Sequence, residues 1–190
     1  MTNAQVKYSI KEIQSRFAEM KQNFKDDNGE WVFERIVEIE ASKEEIFKAA
    51  LEALSNAYRG EDCQIESTDK ELGRIMAHAL IASEIRPYNM LSHIRNEVVQ
   101  NIKIDVKEKR YRITIKFNKL SYQIDDIAAL KYAPVKAAAG HELTKYYPYQ
   151  PKVEQKSKSF ENLLAAYNMA IGKIEEIQKR INESLEKEEW

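Results

Sequence analysis

The sequence predicts an α+β domain in which an antiparallel sheet is gripped by a long C-terminal helix, and three patterns predict it. Segments between Trp31 and Ile124 alternate apolar and polar residues with period two, as half-buried strands do. Two segments, Ile10 to Phe24 and Ile46 to Tyr58, repeat apolar residues at spacings of three and four, each the stripe of one helix. The stretch from Ser159 to Lys187 carries the same period much further, and a helix of that length with one apolar face needs a surface to lie on.

Ser9 and Glu12 stand in capping-box relation, so a helix starts there and runs through Ile10, Ile13, Phe17, Met20 and Phe24. Asp26, Asp27, Asn28 and Gly29 end it, because short polar side chains and glycine favour a turn. Trp31 to Glu40 reads as the first strand, with Phe33, Val37 and Ile39 on one side and Glu34, Glu38 and Glu40 on the other. A second capping box, Ser42 and Glu45, opens a helix whose inner stripe is Ile46, Phe47, Ala50, Leu51, Leu54 and Tyr58, with Gly60 placed as its left-handed cap.

Cys63 to Thr68 and Arg74 to Ala82 read as strands around the turn-forming Asp69 to Gly73. In the second of them Ile75, Ala77, Ala79 and Ile81 alternate with Arg74, Met76 and His78. Ser83 to Arg95 contains Pro87 and no clean period, which predicts a loop with a short helical turn around Asn89 to Ile94.

Val98, Ile102, Ile104 and Val106 then face away from Asn101, Lys103, Asp105 and Lys107, and Tyr111, Ile113, Ile115 and Phe117 alternate with Arg112, Thr114 and Lys116. The two segments form a hairpin. After Phe117 the apolar positions move from odd to even numbers at Leu120, Tyr122 and Ile124, as a bulge at Asn118 or Lys119 requires. Residues 125–157 read as a long connection laid over the fold. The final helix turns Phe160, Leu163, Leu164, Tyr167, Ile171, Ile174, Ile177, Ile181 and Leu185 to one face. The expected organisation is an N-terminal helix and turn over 1–30 and one domain over 31–190.

Composition narrows the function. With 30 Lys+Arg against 31 Asp+Glu, the formal net charge of -1 supplies no long-range field for nucleic acid, and none is expected as a partner. The single cysteine, Cys63, closes no intrachain disulfide and falls in no zinc spacing. No run of apolar residues reaches the length of a bilayer span, and Met1 to Lys11 holds no apolar signal core.

Three segments carry a resemblance. They are Phe33-Glu-Arg-Ile-Val-Glu-Ile-Glu40 leading into Ser42-Lys-Glu-Glu-Ile-Phe47, Thr68-Asp-Lys-Glu-Leu-Gly-Arg-Ile75, and Ile104-Asp-Val-Lys-Glu-Lys-Arg-Tyr-Arg-Ile113. In this order the chain resembles the bacterial domain-of-unknown-function family 4468, with a TBP-like fold, over about Trp31 to Ile124. The resemblance implies a curved antiparallel sheet of five strands in the order strand, helix, four strands, helix, with both helices on one face and an extra N-terminal helix here. It also implies an exported bacterial protein of unknown role. The family's hairpin carries glycine where Lys109 stands, so a longer or wider turn is expected. Resemblance to the fold of a DNA-binding protein does not carry DNA binding with it.

No catalytic constellation is marked. His78, His93 and His141 lack spaced partners for a metal, and the glycines fall in no phosphate-cradling pattern, so neither catalytic residue nor cofactor is assigned. Two surfaces are candidates for binding. Lys103, Lys107, Arg112 and Lys116 form a basic stripe on one face of the hairpin, whose plainer alternative is a solvated sheet face. Tyr146, Tyr147 and Tyr149 lie among prolines and offer rigid amphipathic contact area, unless they only pin a loop. The expectation is a non-enzymatic binding or structural module engaging a protein partner or its own copy. The alternative is a carrier of a small apolar ligand held between the last helix and the sheet, where Ala77 and Ala79 leave room.

Overall fold

Both capping boxes form in the computed structural model. Glu12 N donates to Ser9 Oγ at 3.3 Å and Ser9 N to Glu12 Oε2 at 2.7 Å, and Glu45 N and Ser42 N repeat the pattern at 3.3 and 2.8 Å. The hydrogen bonds from Ser9 and Ser42 hold the two glutamates below the usual carboxylate range. The structure describes residues 9–20, 22–27, 30–58, 62–82, 86–89, 92–117, 119–126, 137–142 and 156–187.

In chain order the elements are α1 (Ile10–Met20), β1 (Lys25–Asp27), β2 (Glu30–Glu38), α2 (Lys43–Ala57), β3 (Asp62–Asp69), β4 (Arg74–Ala82), β5 (Arg86–Asn89), β6 (Ser92–Lys107), β7 (Arg110–Phe117), β8 (Lys119–Asp126), β9 (Ala137–Glu142) and α3 (Lys156–Lys187). They gather into two units. The first comprises Met1–Trp31, Ala82–Glu97 and Asn118–Asn168; the second comprises Val32–Ile81, Val98–Phe117 and Met169–Trp190. Among the described residues no helix is long and apolar enough to cross a membrane.

The second unit holds the five-stranded antiparallel sheet, in the order β2-β7-β6-β4-β3. Its registers follow the alternation of the sequence. Ile102, Ile104 and Val106 pair with Ile115, Ile113 and Tyr111, and all six are buried. On β4, Ile75, Ala77, Ala79 and Ile81 are buried while Arg74, Met76 and His78 are exposed, because successive side chains of a strand point to opposite faces.

The helices cover the inward face. From α3, Asn182 accepts from Tyr111 Oη at 3.0 Å and Gln178 from Arg35 Nη1 at 3.0 Å. Lys173 Nζ donates to the Ala57 carbonyl at the end of α2 and lies 4.7 Å from the centre of the Tyr58 ring. Tyr58 Oη in turn donates to Gln100 Oε1 at 2.9 Å, which partners one buried polar group of β6. The last helix thus lies on the apolar side of the sheet.

Its stripe is rotated from the expected one. Among the residues of α3 whose burial is described, Ala166, Ala170, Ile174, Ile177 and Ile181 are buried, while Leu164, Tyr167, Ile171 and Leu185 sit half-buried at the flanks; the side chains of Phe160 and Leu163 lie outside that description. Residue size misplaces the centre of such a stripe, because alanine lets a helix approach its support closely although it adds little to a hydrophobic pattern.

In the first unit, Ile13, Phe17, Met20 and Phe24 are buried as expected, with the Phe24 ring stacked on Trp31 at 4.1 Å. Asn23 Nδ2 donates to Tyr167 Oη at 2.7 Å, joining the end of α1 to α3. Three short strands replace expected irregular structure. Lys25, Asp26 and Asp27 form β1, which pairs with β2, where a turn was expected. The Pro87 segment forms β5, which pairs with the start of β6 (Arg86 opposite Ile94), where a loop and helical turn were expected. The alanine-rich part of the stretch read as a long connection forms β9, paired with β8 from Lys119 opposite Glu142 to Ile124 opposite Ala137. Backbone pairing to a neighbour decides these segments, and composition does not register it. The bulge was expected at Asn118 or Lys119, and Asn118 lies outside the described residues.

Candidate functional site

Three connections meet at one end of the sheet in the second unit. Asp69 Oδ1 accepts from Leu72 N at 2.8 Å and shapes the β3–β4 turn. Gly73 then adopts φ +69° and brings its carbonyl to Val106 N on β6 at 2.6 Å. A Cβ on Gly73 would collide with the Val106 carbonyl oxygen, so no other residue fits this approach without movement of backbone. Only Glu108 and Lys109 separate β6 from β7, with Lys107 opposite Arg110.

The wider hairpin turn expected for want of glycine is therefore absent. Lys109 itself takes φ +58° and keeps the turn tight. The joint between β2 and α2 holds it there: Ile39 N donates to the Lys109 carbonyl at 3.0 Å, Lys109 N to the Ala41 carbonyl at 3.2 Å, and Lys43 N to Glu108 Oε2 at 3.1 Å. Lys43 Nζ reaches the Glu71 carbonyl in the β3–β4 turn. Residues from each of the three resemblance-bearing segments are bonded together in this knot.

Beside the knot, on the sheet face turned away from the helices, Asp105 gathers cations from three strands. Arg112 Nη2 donates to its Oδ2 at 2.7 Å, Arg74 Nε to its Oδ1 at 2.9 Å, and Lys103 Nζ lies 3.0 Å from Oδ2; Arg112 also approaches Glu34 at 4.0 Å. Partial burial alone would push the Asp105 carboxyl up. The hydrogen bonds from Arg112, Arg74 and Lys103 outweigh it and hold the group down at about 2. The same contact raises the Arg112 guanidinium. A carboxylate so fixed is charged at every physiological pH and serves as a permanent anchor for its neighbours.

The basic stripe is thus divided. Lys103 and Arg112 are drawn onto Asp105, together with Arg74, which sequence reasoning did not join to them because β4 is remote in the chain. Lys116 is half-buried at the far end of the hairpin, opposite Asn101. Lys107 is exposed at the near end, where it borders a shallow pocket of about 230 Å³ with Ile36, Asp105, Arg110, Tyr111 and Arg112. Ile36 is 66% exposed there, and Met76 and Val99, also outward-facing on their strands, are each 39% exposed. Tyr146, Tyr147 and Tyr149 lie outside the described residues. His78 is exposed on the outward face of β4, and among the described residues no group of His, Cys, Asp and Glu is placed to hold a metal.

Residues 33–123 match the family described as a domain of unknown function (DUF4468) with TBP-like fold. Among solved structures, a DUF4468 family protein from Bacteroides ovatus is similar at a TM-score of 0.60 and 12% identity, covering 85% of this chain and 91% of its own. A TBP-like protein from Parabacteroides distasonis is similar at 0.59 and 15%, covering 82% of this chain and 95% of its own. No curated protein matches the chain. At such identities the structural likeness concerns the fold alone. Over residues 33–123 the chain is thus similar to the DUF4468 family of domains of unknown function, and its five-stranded sheet has the TBP-like fold of these solved structures.

Proposed function

We propose that this protein is a non-enzymatic binding module that engages a protein partner through the outward face of its five-stranded sheet. The observation that carries the reading is the make-up of that face. Ile36, Met76 and Val99 stand exposed among charged side chains whose positions are already fixed by the Asp105 cluster. Apolar contacts set in an ordered polar surround are what a non-obligate protein interface uses, since side chains held before binding lose less entropy on contact. The non-catalytic part of the reading draws on the titrating groups. Asp105 and Glu176 are held below the carboxylate range, where an acid–base catalyst working near neutrality would be tuned toward it.

The apolar-carrier alternative drew on Ala77 and Ala79. Both face inward and are buried, and the inward Ile104, Ile113 and Ile177 are each 0% exposed, which favours a filled core.

The test is chemical cross-linking of the chain in extract of the cells that make it, followed by mass spectrometry. A partner cross-linked through the outward face, lost with Met76→Asp and kept with Lys179→Glu on α3, is the expected result. A monodisperse monomer with no partner, or a partner indifferent to Met76→Asp, would count against the module.

A further inference from the structure

We propose that the basic pocket at the hairpin end of this face recognises an acidic segment of a protein partner, with one carboxylate seated between Lys107 and Arg110 and an apolar neighbour resting on Ile36. The inference rests on the binding-module reading and names the chemistry of its partner. The hairpin register sets Lys107 directly opposite Arg110, and both are exposed. Like charges directly opposite one another on an antiparallel pair are destabilising. Neither cation has an acidic partner among the described residues. The acid that lines the same pocket, Asp105, is engaged on both oxygens by Arg112, Arg74 and Lys103.

Among the described residues the hairpin therefore holds two positive charges together without an anion, on strands whose backbone is fixed by the three-connection knot. A carboxylate placed between them relieves their repulsion and meets donors that need little reorganisation. The other wall decides between partners. Ile36, 66% exposed, calls for an apolar side chain next to the acid, which a phosphate backbone does not bring. The net charge of -1 likewise gives no general attraction for nucleic acid, and two cations are few for tracking its backbone. An acidic peptide with an adjacent aliphatic residue satisfies both walls.

Fluorescence anisotropy on the full chain tests this, using labelled short peptides with a Glu-Glu or Asp-Glu pair beside Leu or Ile, the same peptides with Gln or Asn, and a short single-stranded DNA. The acidic peptides should bind and the amide versions should not. Lys107→Glu combined with Arg110→Glu should weaken binding about tenfold or more, and the milder Lys107→Gln with Arg110→Gln should weaken it less. Lys179→Glu should change nothing. Lys107→Glu alone should raise the Tm of the unbound chain while lowering peptide affinity, because it turns a like-charged cross-strand pair into an opposite one; a purely structural role would not move the two in opposite senses.

Equal binding of the amide peptides, indifference to charge reversal, or tighter binding of DNA than of the acidic peptides would overturn the inference. Should the peptides fail while Met76→Asp still removes a cross-linked partner, the pocket chemistry is wrong and the module stands. Should both fail, the module falls with it.

Discussion

Asp105 decides how the outward face behaves. Three cations from β4, β6 and β7 depend on one carboxylate, so its loss leaves Arg74, Lys103 and Arg112 crowded around a neutral group, with Arg112 still approaching Glu34. Its folded-state value of about 2 lies below the ordinary 3.8, so its contribution to stability is complete above 3.8 and is lost as pH falls through 3.8 toward 2. Allowing for solvent screening of the half-exposed Arg74 and Arg112, that contribution is about 1 kcal/mol. Asp105→Asn should lose about that much at pH 7, by urea unfolding, and should flatten the stability profile between pH 4 and 2 relative to the parent chain. An unchanged acid profile would show that the cluster is not coupled to folding. Alternation along β6 and β7 placed Lys103, Asp105 and Arg112 on one face from the sequence alone. It could not place Arg74 beside them, since that contact is set by β4 lying next to β6, an order of strands that no local pattern encodes.

At the scale of elements, two turns use the same left-handed backbone with different residues. Gly73 has no alternative, because a side chain there meets the Val106 carbonyl as well as the steric penalty of positive φ. Lys109 adopts φ +58° with a Cβ in place and is held by backbone hydrogen bonds from the β2–α2 joint. Two substitutions should therefore move in opposite directions. Gly73→Ala should destabilise the chain by about 2 kcal/mol or more through strain and the lost approach to β6. Lys109→Gly should raise the unfolding midpoint, since it removes strain and leaves both backbone bonds in place. Chemical denaturation of the two variants checks this, and destabilisation of both would mean that the Lys109 side chain contributes more than its backbone costs.

Elements with a local signal were readable in this way. The capping serines, the alternating strands and the helical stripes each have a cause within a few residues. β1, β5 and β9 have none, because each is a strand through its neighbour: acidic residues, a proline and a run of alanine are weak strand formers until a ladder is offered to them.

At the scale of the molecule, the second unit is assembled from three stretches separated in the chain: Val32–Ile81, Val98–Phe117 and Met169–Trp190. Its core mixes residues from all three, with Ile46 and Ile75 from the first, Ile104 and Ile113 from the second and Ile177 and Ile181 from the third, each 0% exposed. Such a unit has no piece that can bury its apolar face alone, so the last helix belongs to the sheet's folding reaction and is no appendage to it. Ile177→Ala should therefore cost about 2–5 kcal/mol, the range for deleting a fully buried aliphatic side chain. The loss should be felt far from the substitution. In hydrogen exchange followed by mass spectrometry, the amides of β6 and β7 within 98–117 and those of α2 should lose protection together with those of α3, because local openings follow cooperative units and not the order of the chain. Loss of protection confined to 169–187 would mean that the sheet and α2 stand without the last helix, and the outward face would then owe nothing of its geometry to the packing behind it.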